Sequence, residues 1–187
     1  FAGCVCTNFV LSADMGTDGG LYKWSATIQT GKVPDLDNNT DLGSAVTSYA
    51  NSNMFRLSSA TATKVNNADV ALQSFSLTID NPAVFVGVST TGYQVVNRGA
   101  ECSVTLDCQV KYDDNTDMLI AKFDTQSESS TVMDADAFNI TASNAGGVDI
   151  DNAIFTNVAL SEGDIMMLDI SIKAVDDGSD PLVSLDF

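Results

Sequence analysis

Strict alternation of apolar and polar side chains in three segments, residues 73–79, 102–112 and 166–174, is the feature that most limits what this chain can fold into. In the second segment one face collects the apolar residues Cys102, Val104, Leu106, Cys108, Val110 and Tyr112. A period of two is that of a β-strand with one buried and one solvated face. The three segments therefore predict three strands that share a core.

Turn signals separate weaker strand patterns in the rest of the chain, which predict further strands at 4–13, 21–30, 84–89, 92–97, 137–142 and 182–187. One segment, 113–124, predicts a short helix, because an Asp/Asn/Thr cluster precedes apolar residues at helical spacing. Residues 35–67 are polar with little periodicity and predict a long loop or hairpin. The expected fold is mainly β: a β-sandwich or small barrel in a single domain, 1–187, with one short flanking α-helix.

The charge composition excludes several functions. The chain of 187 residues holds 25 Asp and Glu against 8 Lys and Arg, with no His, for a net charge of −17. Residues 101–187 carry 18 of those acids and 3 of the bases. Binding of nucleic acid through phosphate neutralisation needs clustered bases and is not expected. Without His there is no Ser-His-Asp or Cys-His arrangement, and no phosphate-binding glycine loop occurs. We expect no enzyme, no catalytic residue and no cofactor.

Two groups of residues resemble metal or disulfide motifs without matching them. The pairs Cys4/Cys6 and Cys102/Cys108 lack the spacing of a zinc site and predict core thiols, although a cross-strand link between the pairs stays open. Asp113, Asn115 and Asp117 match the start of a calcium loop, but Met118 stands where the loop needs Gly. They predict a helix N-terminus instead. The acidic stretches 149–152 and 176–180 predict turns, and no metal site is expected.

The order of these elements resembles a known family. A strand "SFSLTIDN", a hairpin-like "VFVGVSTTGYQVVNRG", a strand "ECSVTLDCQVKYDD" and a helix "NTDMLIAKF" are together similar to the tail tube proteins of long-tailed bacteriophages. The opening "FAGCVCTNFVLSADMGTDGGLYKWSATIQTGK" and the closing "EGDIMMLDISIKAV" are similar to that family's first and last strands. The resemblance spans residues 1 to about 175, apart from the variable region 35–67.

The resemblance implies a structural virion protein that assembles in the cytoplasm of a bacterial host. Subunits would form hexameric rings whose sheets join between neighbours, and the rings would stack into a hollow tail tube that passes the DNA genome without binding it. Expected partners are further copies of the chain, a tape measure protein, tail terminator and baseplate proteins, and a sheath if the tail contracts, but no membrane. A portion before Phe1 is expected to be missing or processed.

Within such a tube the acidic excess predicts a channel that repels DNA phosphates. The polar faces of the paired strands are the candidate lining, with Ser74, Ser76, Thr78, Ser103, Thr105 and Asp107 as lumen-facing candidates. In the long loop, Tyr49 and Phe55 are the candidates for contact with a neighbouring subunit.

Two alternatives belong to different functional classes. One is a secreted or cell-surface adhesive β-sandwich that binds calcium through its acidic turns, which predicts disulfides and stabilisation by calcium. The other is a phage capsid decoration or tail terminator protein, which predicts a single ring or trimer. Growth into long hollow filaments separates the tail tube hypothesis from both.

Overall fold

The computed structural model describes residues 4–30, 55–86, 95–129, 132–133, 136–142 and 147–186. These residues form one helix, α1 (Asp114–Ser129), and thirteen strands. In chain order the strands are β1 (Cys4–Asp14), β2 (Lys23–Thr30), β3 (Ala60–Val65), β4 (Ala68–Asp69), β5 (Leu72–Asp80), β6 (Ala83–Val86), β7 (Val95–Arg98), β8 (Ser103–Lys111), β9 (Phe138–Ala142), β10 (Gly147–Ile150), β11 (Ala153–Ser161), β12 (Met167–Ala174) and β13 (Ser184–Asp186).

Six strands form the first sheet, in the order β11-β12-β8-β5-β1-β2, with every neighbouring pair antiparallel. Its register brings apolar residues of four strands into one row: Leu11 lies opposite Leu77, Leu77 opposite Leu106, and Leu106 opposite Ile172. All four side chains are buried. The alternation that predicts the strands therefore also gives this sheet one continuous apolar face.

Five strands form the second sheet, in the order β13-β10-β9-β3-β4. Its buried residues join those of the first sheet in one hydrophobic core, where the rings of Phe75 and Phe138 lie 6.0 Å apart between centroids. The two sheets therefore pack face to face as a β-sandwich. Strands β6 and β7 form a separate hairpin.

Helix α1 is capped at its start and packs beside β11. The Asp113 carboxylate accepts hydrogen bonds from the N–H groups of Asn115 and Thr116, and the Thr116 hydroxyl accepts one from the Asp113 N–H at 2.8 Å. This reciprocal pair satisfies N–H groups that the first turn leaves free. Further along, the Phe123 ring meets the Phe155 ring edge-on.

We expect Asp113→Ala to lower the free energy of unfolding by about 1 kcal/mol, because the first turn of α1 loses its cap. For a chain of this size the melting temperature falls by about 2–4 °C. Thermal melts with and without calcium check both this value and the calcium-loop alternative, with the exposed Asp164→Ala as the control. Stabilisation of the native chain by calcium, lost in Asp113→Ala, would contradict the assignment of Asp113 as a cap.

The mainly β fold with one helix confirms the predicted class. Strands β5, β8 and β12 confirm the three segments of strict alternation, and β1, β2, β6, β7, β9 and β13 overlap the six weaker predictions, with 87–94 outside the described residues. Some secondary-structure predictions need correction. The helix runs to Ser129 and not to 124, and Asp149 lies in strand β10 and not in a turn. Of the segment 35–67, predicted as a long loop or hairpin, residues 60–65 form strand β3 of the second sheet, and 35–54 lie outside the described residues.

Candidate assembly surface

All six residues predicted to line a channel lie on one face of the first sheet, opposite the core. On this polar face Ser76 of β5 is paired with Asp107 of β8, and Thr78 with Thr105. Ser74 and Ser103 lie on the same face one pair further along each way, at Gln109 and Asp80. The alternation of β5 and β8 thus brings the predicted residues together as cross-strand neighbours.

Hydrogen bonds between strands hold the carboxylates of the polar face. The Ser171 hydroxyl donates to Asp107 Oδ1 at 2.6 Å, and the Gln109 amide donates to Asp169 Oδ1 at 2.7 Å. The second sheet and α1 lie on the other side, so a shallow depression of about 510 Å³ remains open over this face. It offers hydroxyl, amide and carboxylate groups at fixed positions, with no deep binding pocket.

Two titratable groups in the lining of this depression, Asp14 and Cys108, have shifted pKa values. The Thr17 hydroxyl and the Gly16 N–H donate to the Asp14 carboxylate and lower its pKa, so Asp14 stays ionised at the rim. Cys108 points into the core beneath, where burial raises the pKa of its thiol. A neutral buried thiol is a packing group and not a nucleophile. Core placement is confirmed for Cys108, but Cys6 is exposed, which corrects that prediction; all four cysteines are free thiols.

The polar face carries only a small part of the acidic excess. The strands place four aspartates on it against three lysines, so its net charge is −1; these residues are Asp14, Asp80, Asp107, Asp169, Lys23, Lys111 and Lys173. Most other acids of the second half lie in α1, in turns and on the second sheet. The face is therefore weakly acidic, and its lysines are dispersed among carboxylates.

Within the described part of the chain, the first sheet ends in two strands, β2 and β11, that have no neighbouring strand on their outer side. All eight residues of β2 are exposed, with Trp24 at 71% and Ile28 at 53%. The second sheet does not cover β2, and Trp24 stacks only partly on Phe9, at 6.4 Å between ring centroids. On β11 Leu160 is 47% exposed. Trp24–Thr30 of β2 and the whole of β11 contain no charged residue and no proline, the usual features that keep edge strands from pairing.

The hydrogen-bonding direction of β2 follows from its register with β1. The Met15 N–H bonds to Gln73 on β5, so the odd-numbered residues at this end of β1 direct their backbone groups to β5 and the even-numbered ones to β2. Val10 therefore bonds to its partner Ser25 on β2. The residues between, Trp24, Ala26 and Ile28, therefore direct their N–H and C=O groups to the open edge.

On β11 the first residues are covered and the later ones are open. Met133 pairs with Ala153, and Gln126 of α1 accepts the Phe155 N–H at 2.9 Å. A β-bulge between Phe155 and Asn157 then shifts the register, so Val158 and Leu160 direct their backbone groups outward.

Two expected contact residues have different outcomes. Tyr49 lies outside the described residues, and Phe55 is half-buried with its carbonyl accepting the Tyr22 N–H at 3.0 Å. Sequence reasoning missed Trp24 and Ile28 as surface residues. Their alternation with polar residues in β2 predicts that they face the core. They are exposed because the five-stranded second sheet does not extend over β2.

The acidic turns form local structure. In the turn 176–180 the Asp177 carboxylate accepts hydrogen bonds from the N–H groups of Ser179 and Asp180, which lower its pKa. This confirms the turn prediction. Among the described residues no group of three or more Cys, Asp or Glu side chains is arranged to hold a metal ion. Within the same ranges no helix has the length and apolar character needed to cross a membrane.

A sheet with two uncharged edges that lack a neighbouring strand among the described residues offers surfaces for pairing with other chains. The model of the phage tail tube protein family matches residues 1–174, and the chain belongs to this family. It is therefore a structural protein of a virion tail, and the recognition made from the sequence is confirmed.

Among the solved structures that are similar to the chain, two come from gene transfer agent (GTA) particles. One is the virion of a native particle, at 14% identity over 73% of this chain and 91% of that chain, with a TM-score of 0.37. The other is the tail of an empty particle computed with helical refinement in C6 symmetry, at 14% identity over 71% and 85% of the two chains, with a TM-score of 0.38. A comparison with curated proteins found no match.

Proposed function

We propose that this protein forms closed rings, six subunits as the family resemblance implies, by pairing β2 of each subunit with β11 of the next, and that the rings stack into the hollow tail tube. The observation that carries the proposal is the pair of open, uncharged edges on one sheet. A heterologous contact of this kind closes into a ring when the rotation between subunits allows it.

The direction of the strands suits such a ring. The first sheet has six strands, each antiparallel to its neighbour, so β2 and β11 run in opposite directions. Rotation about an axis along the sheet keeps every subunit's strands in the same orientation. It therefore brings β2 beside an antiparallel β11, and the sheet continues across the junction with ordinary antiparallel pairing.

The side chains at the two edges also match. Trp24 and Ile28 of β2 project on the core side of the sheet, and so do Val158 and Leu160 of β11. A junction between them would remove exposed apolar surface from water at both edges, at about 25 cal/mol for each Å² buried. Joining the sheets also removes the unpaired strand edges.

The polar face would line the channel in this arrangement. The second sheet and α1 cover the opposite face, so they would form the outer layer, and Ser74, Ser76, Thr78, Ser103, Thr105 and Asp107 would face the lumen. Hydroxyl groups and a net charge of −1 on the polar face of each subunit give phosphates no cluster of bases to bind. A tape measure protein and then DNA would pass this wall, with terminator, baseplate and sheath proteins as outer or end partners.

Electron microscopy of the purified protein at high concentration tests the ring and tube. Hollow filaments with a regular axial repeat are the expected result. Isolated trimers or single rings that never stack would favour the decoration or terminator alternative, and monomers alone would overturn the assembly.

We expect the double variant Asp107→Lys/Asp169→Lys to convert the polar face from repelling DNA to retaining it. Its net charge changes from −1 to +3 for each subunit, and six lysines at each position in a ring would release counterions on binding phosphates. Retention of short double-stranded DNA by assembled tubes is measured by co-sedimentation at several salt concentrations. The control Asp180→Lys/Asp186→Lys makes the same charge change at two exposed residues away from this face. Equal retention by both variants would contradict the lumen assignment.

A further inference from the structure

A groove beside α1 contains two hydrogen-bond donors that have no acceptor among the described residues. Two adjoining pockets of about 270 and 420 Å³ share Asn66 and Lys122 and form one groove between α1 and the β3–β4 turn. We call this the α1 groove; its lining includes Asn66, Met118, Lys122, Gln126, Val132 and Met133.

The donors of the α1 groove are an amide and an ammonium group. Asn66 is 9% exposed, and its side-chain Nδ2 is buried without a hydrogen-bond partner in the described part of the chain. A buried donor without an acceptor carries a free-energy cost. Lys122 is exposed and forms no ion pair with a described residue. The Asp69 carboxylate also lines the groove, at the end beside the β3–β4 turn, where it adds to the charges that raise the pKa of Lys64. The groove therefore offers donors to a carboxylate.

Exposed apolar side chains flank these donors. Met118 is 47% exposed on one side of Lys122, and Val132 is 39% exposed at the other end of the α1 groove. The chemistry that fits is a short segment with a carboxylate next to large aliphatic side chains. Such a combination of apolar rim and charged centre is typical of protein contacts.

One segment of the same chain has this chemistry on its surface. The tip of the β11–β12 hairpin, residues 160–166, carries Glu162 and Asp164 beside Ile165 and Met166, which are 64% and 49% exposed. The chain has only 8 basic residues, and Lys122 is the one that lines the α1 groove. The carboxylates of the tip can therefore pair with Lys122.

The tip and the deep part of the α1 groove lie at opposite ends of the subunit. The groove reaches Phe155 and Met133 at the start of β11, and the tip follows the end of β11 at Ser161. Strands rise about 3.3 Å for each residue, which separates the two by roughly 20–27 Å. The other end of the groove, at Asn115 and Met118, lies near the tip of its own subunit, because Tyr112 just before α1 donates its N–H to Met166. In the proposed ring, only a subunit of the next ring would therefore bring its tip to the deep end of the groove.

We propose that the 160–166 tip of one copy docks in the α1 groove of a copy in the adjacent ring, with Glu162 or Asp164 accepting hydrogen bonds from Lys122 and Asn66. This contact rests on the proposed assembly and adds the way in which its rings stack. It is heterologous and repeats along the axis, so it grows into a filament.

Charge reversal tests the contact. Lys122→Glu, and separately Glu162→Lys/Asp164→Lys, are expected to form rings that no longer stack, because like charges meet at the junction. The protein concentration needed for filaments rises at least about tenfold in either variant. The triple variant that carries all three changes restores opposite charges and is expected to stack again. Lys122→Gln removes the charge with little change in shape and is expected to give an intermediate result.

Ring and filament formation are measured separately, by sedimentation and by electron microscopy, with thermal melts to verify folding. Ala121→Glu, which adds a negative charge on the exposed side of α1 outside the groove, is the control and is expected to stack normally. The docking contact would be overturned if Lys122→Glu formed filaments at the concentration at which the native protein does, or if the triple variant failed to stack. In either case the proposed function would still hold, provided that the native protein forms rings and tubes. Native protein that forms no rings would overturn the proposed function itself.

Discussion

Replacing Ala26 by proline is expected to abolish ring formation while the subunit stays folded. Ala26 lies in the middle of β2 and directs its N–H to the open edge, so proline removes no hydrogen bond of the β1–β2 pair. It does remove a donor from the proposed junction and places its ring in the path of the neighbouring strand. Sedimentation velocity of the native protein and the variant measures the loss of rings.

A complementary variant sharpens this test. Val158→Pro removes an outward N–H from β11 and is likewise expected to stop ring formation. Ala26→Pro keeps an intact β11 edge, and Val158→Pro keeps an intact β2 edge. Mixed together they share one intact junction, so we expect dimers and no rings, which only a heterologous contact produces.

The control for both variants retains the backbone donor. Ala26→Thr introduces a β-branched residue suited to a strand and is expected to assemble like the native protein. Rings formed by Ala26→Pro at native concentrations would show that β2 does not pair across the junction. Equal loss of assembly in Ala26→Thr would assign the effect to the side chain and not to strand pairing.

Strands with one buried and one solvated face could be predicted from the sequence because their alternation is unbroken. In β8 every second residue from Val104 to Val110 is buried, as the pattern requires. The shared face of the six channel candidates could be predicted for the same reason, since the period alone determines which residues of β5 and β8 lie on the polar face. That this face lines a channel stays a prediction.

Strand β11 could not be predicted because a β-bulge changes which residues face the core. Ala153 and Phe155 are buried before the bulge, and Val158 faces the core after it, so the apolar spacing changes from two to three. The last turns of α1 were missed for a related reason. The polar residues 124–129 carry no apolar period, and a tertiary hydrogen bond from the Phe155 N–H to Gln126 anchors this end.

The open edges could not be predicted from the sequence, because their exposure depends on how far the second sheet extends over the first. Trp24 in β2 has the alternation of a core residue, and only the packing of the second sheet elsewhere leaves it 71% exposed. Sequence period gives the face of a side chain but not the extent of the opposing layer.

Phe138→Ala is expected to lower the free energy of unfolding by about 3–5 kcal/mol, the usual cost of a large cavity in a core. Phe138 is fully buried in β9 and its ring lies against Phe75 of the first sheet, so the truncation removes an aromatic contact between the two sheets. For a chain of this size the melting temperature falls by roughly 6–20 °C. Urea unfolding of the isolated subunit measures the change.

The matched control is Phe123→Ala, which truncates the same side chain at a half-buried position where α1 packs on β11. Its loss of stability should be smaller, because less apolar surface is returned to water and the edge of the core can close over the gap. Equal losses would mean that α1 contributes as much to the core as the contact between the sheets. In that case the outer layer of the proposed tube could not detach from the strands that line its channel without unfolding the subunit.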